Sequence, residues 1–212
     1  MRKFRLESTR SITRELAEKP TEFAYVSHIK SRFLIVPSVS SERRKFIPIG
    51  FAQPDLIVSN LCLTIYNANK FHFGIMSSTL HNAWVRYTCG RLKSDFRYSN
   101  SIVYNNFPWP EVNAQNTSKI EIAAQAILDA RAIHTNASLA DLYDPLTMPA
   151  NLLKAHQALD KAVDAAYGYK GAATDAARVA FLFERYQQIT SLLPTVKAKT
   201  KKPQKKEQLK TL

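Results

Sequence analysis

The sequence predicts an α+β protein: a mixed α/β domain over residues 1–112, a small antiparallel helical bundle over 113–194, and a disordered basic tail over 195–212. Three observations carry this reading. The runs FLIVPSV (Phe33 to Val39) and DLIVSNLCLTI (Asp55 to Ile65) are rich in β-branched residues and flank a turn-like PIGFAQP, so both read as strands. After Pro110 the texture becomes alanine-rich, with apolar residues at helical spacing. The closing TVKAKTKKPQKKEQLKTL has many lysines and few groups that could build a core.

Each element has its own signal. Phe73, Met76, Leu80, Trp84 and Tyr87 fall three or four apart, which predicts one helix from Phe73 to Thr88, stopped by Gly90. In Lys93-Ser94-Asp95-Phe96-Arg97 the charges alternate with Ser94 and Phe96, a period of two that predicts a strand. Ile102 and Val103 suggest a second short strand before Pro108 and Pro110 end regular structure in the corner NNFPWP. Thr117 or Ser118 is the expected cap of a helix with Ile120, Ala124, Ile127 and Leu128 inward, running to about His134. A second helix, from Asn151, places Leu152, His156, Leu159, Val163 and Tyr167 in register and is closed by Gly168. A third, from about Thr174, turns Val179, Leu182, Phe183, Tyr186, Ile189 and Leu193 inward and stops at Pro194. Three such helices with short connections form an antiparallel bundle.

The net charge of +13 is unevenly spread. Residues 1–45 carry 11 Lys/Arg against 5 Asp/Glu, residues 46–110 carry 5 against 2, residues 111–193 carry 7 against 9, and residues 194–212 carry 7 against 1. A polyanion partner is therefore expected on the first half, and an excess of this size on a small domain points to nucleic acid. Plain solubility is the competing explanation. No apolar run approaches the roughly 20 residues of a membrane span, and the charged MRKFRLESTR is no signal peptide, so no membrane partner is expected and the placement is cytoplasmic. Cys62 and Cys89 are too few for a disulfide framework and read as reduced, buried apolar residues.

Catalytic chemistry is not legible. A nucleotide cofactor needs a glycine-rich turn that lets backbone approach it, and the 5 glycines include no G-x-G. NNFPWP differs from the Asn-Pro-Pro-aromatic motif of amino-methyltransferases, with Phe107 where proline is required. Asp55 has no following acid-x-Lys to complete a nuclease centre. The histidines, His28, His72, His81, His134 and His156, form no close ligand pair, so neither a cofactor nor a metal is expected in this chain.

If residues 93–97 are extended, Lys93, Asp95 and Arg97 project from one face about 7 Å apart at each step. Guanine presents two major-groove acceptors to Lys or Arg, and its partner cytosine an N4 donor to Asp. An Asp on a surface made only for phosphates would be repelled, which favours base reading. The spacing alone leaves a second reading equally open, a solvated strand face with a surface ion network of little energetic weight.

At these residues the chain resembles a known family. SERRKFIPIGF, FGIMSSTLHNAWVRYTCGRLKSDFRYS, VYNNFPWP, LADLYDPLTMP and LLKAHQALDKAVDAAYG closely resemble the C-terminal part of MmeI-like (type IIL) restriction-modification enzymes, in unbroken order from about Arg32 to Leu193. Such enzymes join an endonuclease region, an adenine-N6 methyltransferase domain, and a DNA target-recognition domain with a helical C-terminal region. The resemblance implies sequence-specific recognition of double-stranded DNA, with base choice carried by Lys93, Asp95 and Arg97: a G·C pair read by Lys93 with Asp95, a further base by Arg97. Arg43, Arg44, Arg86 and Arg91 are candidate phosphate contacts, which position without specifying sequence. It also implies a bacterial protein that is no enzyme on its own but a fragment of an S-adenosylmethionine-dependent adenine methyltransferase and type II restriction endonuclease. S-adenosylmethionine and Mg are expected only in the absent catalytic domains, and residues 1–31 as the connection to them, with Met1 an internal start, a split gene or a fragment boundary. The partner is the methyltransferase domain of the same enzyme. The alternative is a trans-acting specificity or docking subunit on separately encoded methyltransferase or nuclease chains.

Overall fold

The computed structural model describes residues 1–22 and 31–191; the tail over 195–212, His28, Leu193 and Pro194 lie outside them. The chain is α+β. It begins with two short helices, α1 (Arg2–Leu6) and α2 (Ser11–Glu15), followed by a 3-10 turn. The Arg5 guanidinium ties them to the segment that follows by donating to the carbonyls of Leu16 at 2.6 Å, Lys19 at 2.5 Å and Glu22 at 2.6 Å.

Two small antiparallel sheets follow. In the first, β1 (Phe33–Pro37) runs between β3 (Gly50–Ala52) and β4 (Cys62–Tyr66). The expected strands are therefore present but shorter: Asp55 to Leu61 is irregular, and β3 lies inside the segment read as a turn. Pro48 and Gly50 hide β3 from a propensity reading, and pairing with β1 at Phe33↔Ala52 creates it. The second sheet has the order β2 (Val39–Ser40), β6 (Asp95–Arg97), β5 (Gly90–Leu92). Ser38 joins the two sheets, its N–H donating to the Leu61 carbonyl and its carbonyl accepting from the Tyr98 N–H, both at 2.9 Å.

The helix expected over 73–88 is two helices, α3 (Lys70–Ser77) and α4 (Thr79–Thr88). Ser78 is extended (ψ 156) and its hydroxyl caps α4 by accepting from the His81 N–H. Asp160 completes the cap, accepting from Thr79 N–H at 2.7 Å and Thr79 Oγ1 at 2.6 Å. Phe73, Met76, Leu80 and Trp84 are buried as expected, but beyond the break Tyr87 falls outside the covered face and is 58% exposed. Gly90 opens β5 rather than standing as a loose stop. In place of a strand at Ile102 and Val103, a π-helical turn spans Asn100–Tyr104, capped by Ser99, with the Trp84 indole N–H donating to the Val103 carbonyl at 3.1 Å. NNFPWP is a packed corner: Phe107 is buried edge-on against His81, and the Tyr167 hydroxyl donates to the Pro108 carbonyl.

The later helices are α5 (Ala114–Ala132), α6 (Leu139–Leu142), α7 (Ala150–Tyr167) and α8 (Asp175–Thr190). Asn113 caps α5, a turn earlier than Thr117 or Ser118. All five residues of the α7 stripe, Leu152, His156, Leu159, Val163 and Tyr167, are buried, and Gly168 ends the helix at φ 65, a conformation that favours glycine. In α8 only the first half of the stripe is covered: Val179 and Leu182 are buried, while Phe183 is 42% and Ile189 63% exposed.

The three long helices pack on one another and also around α3 and α4. α5 packs on both α7 and α3, and α8 lies on α4, so one apolar core runs from the sheets through α3 and α4 into the C-terminal helices. Gly74 marks the tightest crossing, where an added Cβ would stand 2.7 Å from Ile120 Cγ2 and 3.3 Å from both Ala124 Cβ and Leu159 Cδ1. Two polar devices tie the crossing helices. Arg178, itself buried, forks onto Asp164, and a chain runs from Arg131 through the Tyr143 hydroxyl to His156 Nε2 at 2.8 Å.

Candidate nucleic-acid interface

The segment read as one strand with three charged rungs is a hairpin. β5 and β6 pair Gly90↔Arg97, Arg91↔Phe96 and Leu92↔Asp95, leaving Lys93 and Ser94 as a two-residue turn. Lys93 therefore does not stand on the strand face with Asp95 and Arg97; it sits at the tip with φ 55. This corrects the regular 7 Å ladder. A left-handed residue at the first turn position is what a hairpin's twist requires, and the place usually falls to Gly, Asn or Asp. A lysine there costs about 1–2 kcal/mol of backbone strain, so something other than the turn accounts for the residue.

Lys93 and Arg97 are exposed, and neither side chain makes a hydrogen bond or ion pair among the described residues. Asp95 is half-buried, and its Oδ1 accepts from the Glu42 backbone N–H at 3.3 Å. Its Oδ2 keeps no such bond among the described residues. Phe96 points the other way, 5% exposed, anchoring the hairpin in the core as its alternation predicts.

The four candidate phosphate contacts separate. Arg43 is exposed, and its guanidinium has no partner among the described residues. Arg44, next to it, is half-buried, with its Nε enclosed and unpaired. Both leave β2 on the loop that carries Glu42, beside β6 through the pair Ser40↔Phe96. Arg86 is committed inward: it pairs with Asp175 at 2.9 Å and donates to the Lys45 carbonyl, bracing α4 against α8 and the 41–47 loop. Arg91 lies over the Phe96 ring at 4.3 Å and donates to Ser94 O at 2.9 Å and Arg86 O at 3.4 Å, with Glu42 Oε2 3.9 Å away. Glu42 was not singled out in the sequence, although it stands in the SERRKF segment beside the two arginines.

Groups that might suggest catalysis have structural partners. His81 bonds Met76 O and the Tyr98 hydroxyl, and burial pushes its pKa down to about 4. His156 is pushed down to about 3, by burial first and by the Arg131 charge next. Tyr98 is core, its hydroxyl raised by burial, and Trp109 packs at the corner. Cys62 and Cys89 are free thiols, half-buried rather than fully enclosed. Among the described residues no group of His, Cys, Asp and Glu is arranged to hold a metal, and no helix is long and apolar enough to cross a membrane.

A cation-bearing hairpin fixed to a helical core, with its buried histidines held in structural bonds, is in form a recognition module. Residues 1–111 match the family of the MmeI target recognition domain and residues 112–194 that of the MmeI C-terminal domain, and the chain belongs to this family. It is 42% identical over 186 residues to DNA methyltransferase A of Bacillus subtilis (strain 168), covering 88% of this chain and 21% of that protein. Among solved structures, that of the type IIL restriction-modification enzyme MmeI in complex with DNA matches with a TM-score of 0.85 at 53% identity, over 90% of this chain and 26% of that one. The chain thus spans about a fifth to a quarter of the length of these relatives.

Proposed function

We propose that this chain recognises a short site in double-stranded DNA for an MmeI-like adenine-N6 methyltransferase and restriction enzyme. The observation that carries it is Lys93, held at φ 55 where glycine would be easier, exposed beside Asp95 and Arg97 on a hairpin of the recognition-domain family. Lys93 donates to guanine, the free Oδ2 of Asp95 accepts from the N4 of the paired cytosine, and Arg97 addresses a further base. Arg43 and Arg44, on the neighbouring loop, hold phosphates and set the register.

In this reading residues 1–112 form the target-recognition domain, 113–194 the helical domain, and the protein works in the bacterial cytoplasm. Methyl transfer and cleavage belong to catalytic domains outside this chain, which bind S-adenosylmethionine and Mg. The sequence has no glycine-rich G-x-G turn, and among the described residues no group of His, Cys, Asp and Glu is arranged to hold a metal.

The test is a competition binding selection on randomised duplexes. One short preferred site is expected, with affinity falling as salt rises. Lys93→Glu combined with Asp95→Arg should change the preferred base at one position; an unchanged preference in a folded variant would falsify the assignment. The trans-acting alternative draws on one observation, the apolar side chains of Phe4 (73% exposed), Leu6 and Ile12 on the α1–α2 segment. A methyltransferase or nuclease chain co-purifying with this protein, and lost on Phe4→Asp, supports it; retention in that variant removes that surface as the contact.

A further inference from the structure

Resting on that reading, we infer that Arg91 is a positioning residue for base choice rather than a phosphate contact. Its guanidinium plane stacks on Phe96, directly opposite in the register, while Nη1 donates to the carbonyl of Ser94 in the turn and Nη2 to that of Arg86 at the end of α4. Arg91 thereby ties the tip that carries Lys93 to the core through Phe96 and to α4 through Arg86. A tip with no glycine and a strained lysine needs such a tie, because the turn's own preferences favour a different backbone.

The second reader is held from the same bracket. Glu42, 3.9 Å from Arg91 through its carboxylate, gives its backbone N–H to Asp95 Oδ1, which leaves Oδ2 without a hydrogen bond among the described residues. One arginine and one glutamate thus set the spacing between the Lys93 ammonium and the Asp95 carboxylate, the spacing that a G·C pair would test. The bonds to Ser94 O and Arg86 O use two of the five guanidinium donors, so a phosphate contact would have to be made by the remaining donors, with the plane already fixed over Phe96.

Arg91→Lys separates the two roles, because it keeps the charge while losing the flat stack and the fork of donors. In the 212-residue chain, amide hydrogen exchange at residues 92–95 should become at least tenfold faster in the variant. On duplexes, its preference for the wild-type site over one changed at the Lys93–Asp95 base pair should fall at least tenfold. The slope of log affinity against log salt should stay unchanged in both Arg91→Lys and Arg91→Ala. If Arg91→Lys keeps wild-type exchange and preference, while Arg91→Ala lowers the slope by about 0.9, Arg91 is a phosphate contact and the inference is overturned. A wild-type protein with no site preference overturns the base-reading proposal and this inference together; the first outcome overturns the inference alone.

Discussion

Replacing Lys93 by glycine should stabilise the protein while removing its preference at one base position. The left-handed backbone at φ 55 costs an L-residue about 1–2 kcal/mol. Glycine is free of that cost but gives up about 0.5–1 kcal/mol of chain entropy on folding. Among the described residues no hydrogen bond or ion pair is lost with the side chain, so the net gain is at most about 1.5 kcal/mol. For a chain of this size that raises the melting temperature by up to about 6 °C. Calorimetry on wild type, Lys93→Gly and Lys93→Ala isolates the backbone, because alanine removes the side chain and keeps the strain; it should melt close to wild type. If Lys93→Gly melts below Lys93→Ala, the turn is not strained and the argument that Lys93 is kept for its side chain fails. Duplex competition on the same three proteins supplies the other half, with both variants losing preference at one base position.

Two further outcomes test the core. Gly74→Ala should destabilise the protein by up to about 2 kcal/mol, because overpacking against the branched Ile120 and the Ala124 Cβ outweighs the roughly 1 kcal/mol of helix propensity gained; a urea midpoint at or above wild type would show that the crossing can give. Stability should also fall as pH drops from 6.5 towards 4. His81 and His156 have folded pKa values pushed far below the unfolded 6.5, so the unfolded chain takes up protons first. Each site then removes about 1.4 kcal/mol per pH unit, so by pH 5 the two together remove about 4 kcal/mol. Asp160, raised by burial, opposes this only near its own titration at the acid end. Urea midpoints equal at pH 7 and pH 5 would contradict the buried neutral state of these rings.

The parts legible in the sequence were those governed by local periodicity. The α7 stripe from Leu152 to Tyr167 is buried residue for residue, and Phe96 is core because strand alternation needs no tertiary context. The break at Ser78 had a local signal that the longer apolar stripe masked: a serine followed three residues on by the N–H it caps. β3 had none, since Pro48 and Gly50 speak for a turn and only β1 overrules them. The site was half legible. Charge and spacing singled out Lys93, Asp95 and Arg97, but a turn built from Lys-Ser lacks the Asn-Gly or Gly-x signature that marks a hairpin, so the ladder was drawn too straight. Arg91 and Arg86 read as free cations because their acceptors, Ser94 O, Lys45 O and Asp175, are supplied by other parts of the fold.

The core that passes Gly74 between α3, α5 and α7 crosses the point, between residues 111 and 112, where the two family matches meet. A cut there would expose Ile120, Leu159 and Phe73 together, so the two portions are not interchangeable cassettes, and a chimera joined at Pro110 would have to rebuild the whole crossing. On the proposed base-reading role, variation in what is recognised is cheapest by point substitution at the hairpin, where Lys93 sits at the tip and Asp95 and Arg97 flank the buried Phe96. On that reading, a new specificity should arise more readily by mutation at these positions than by exchange of the two portions.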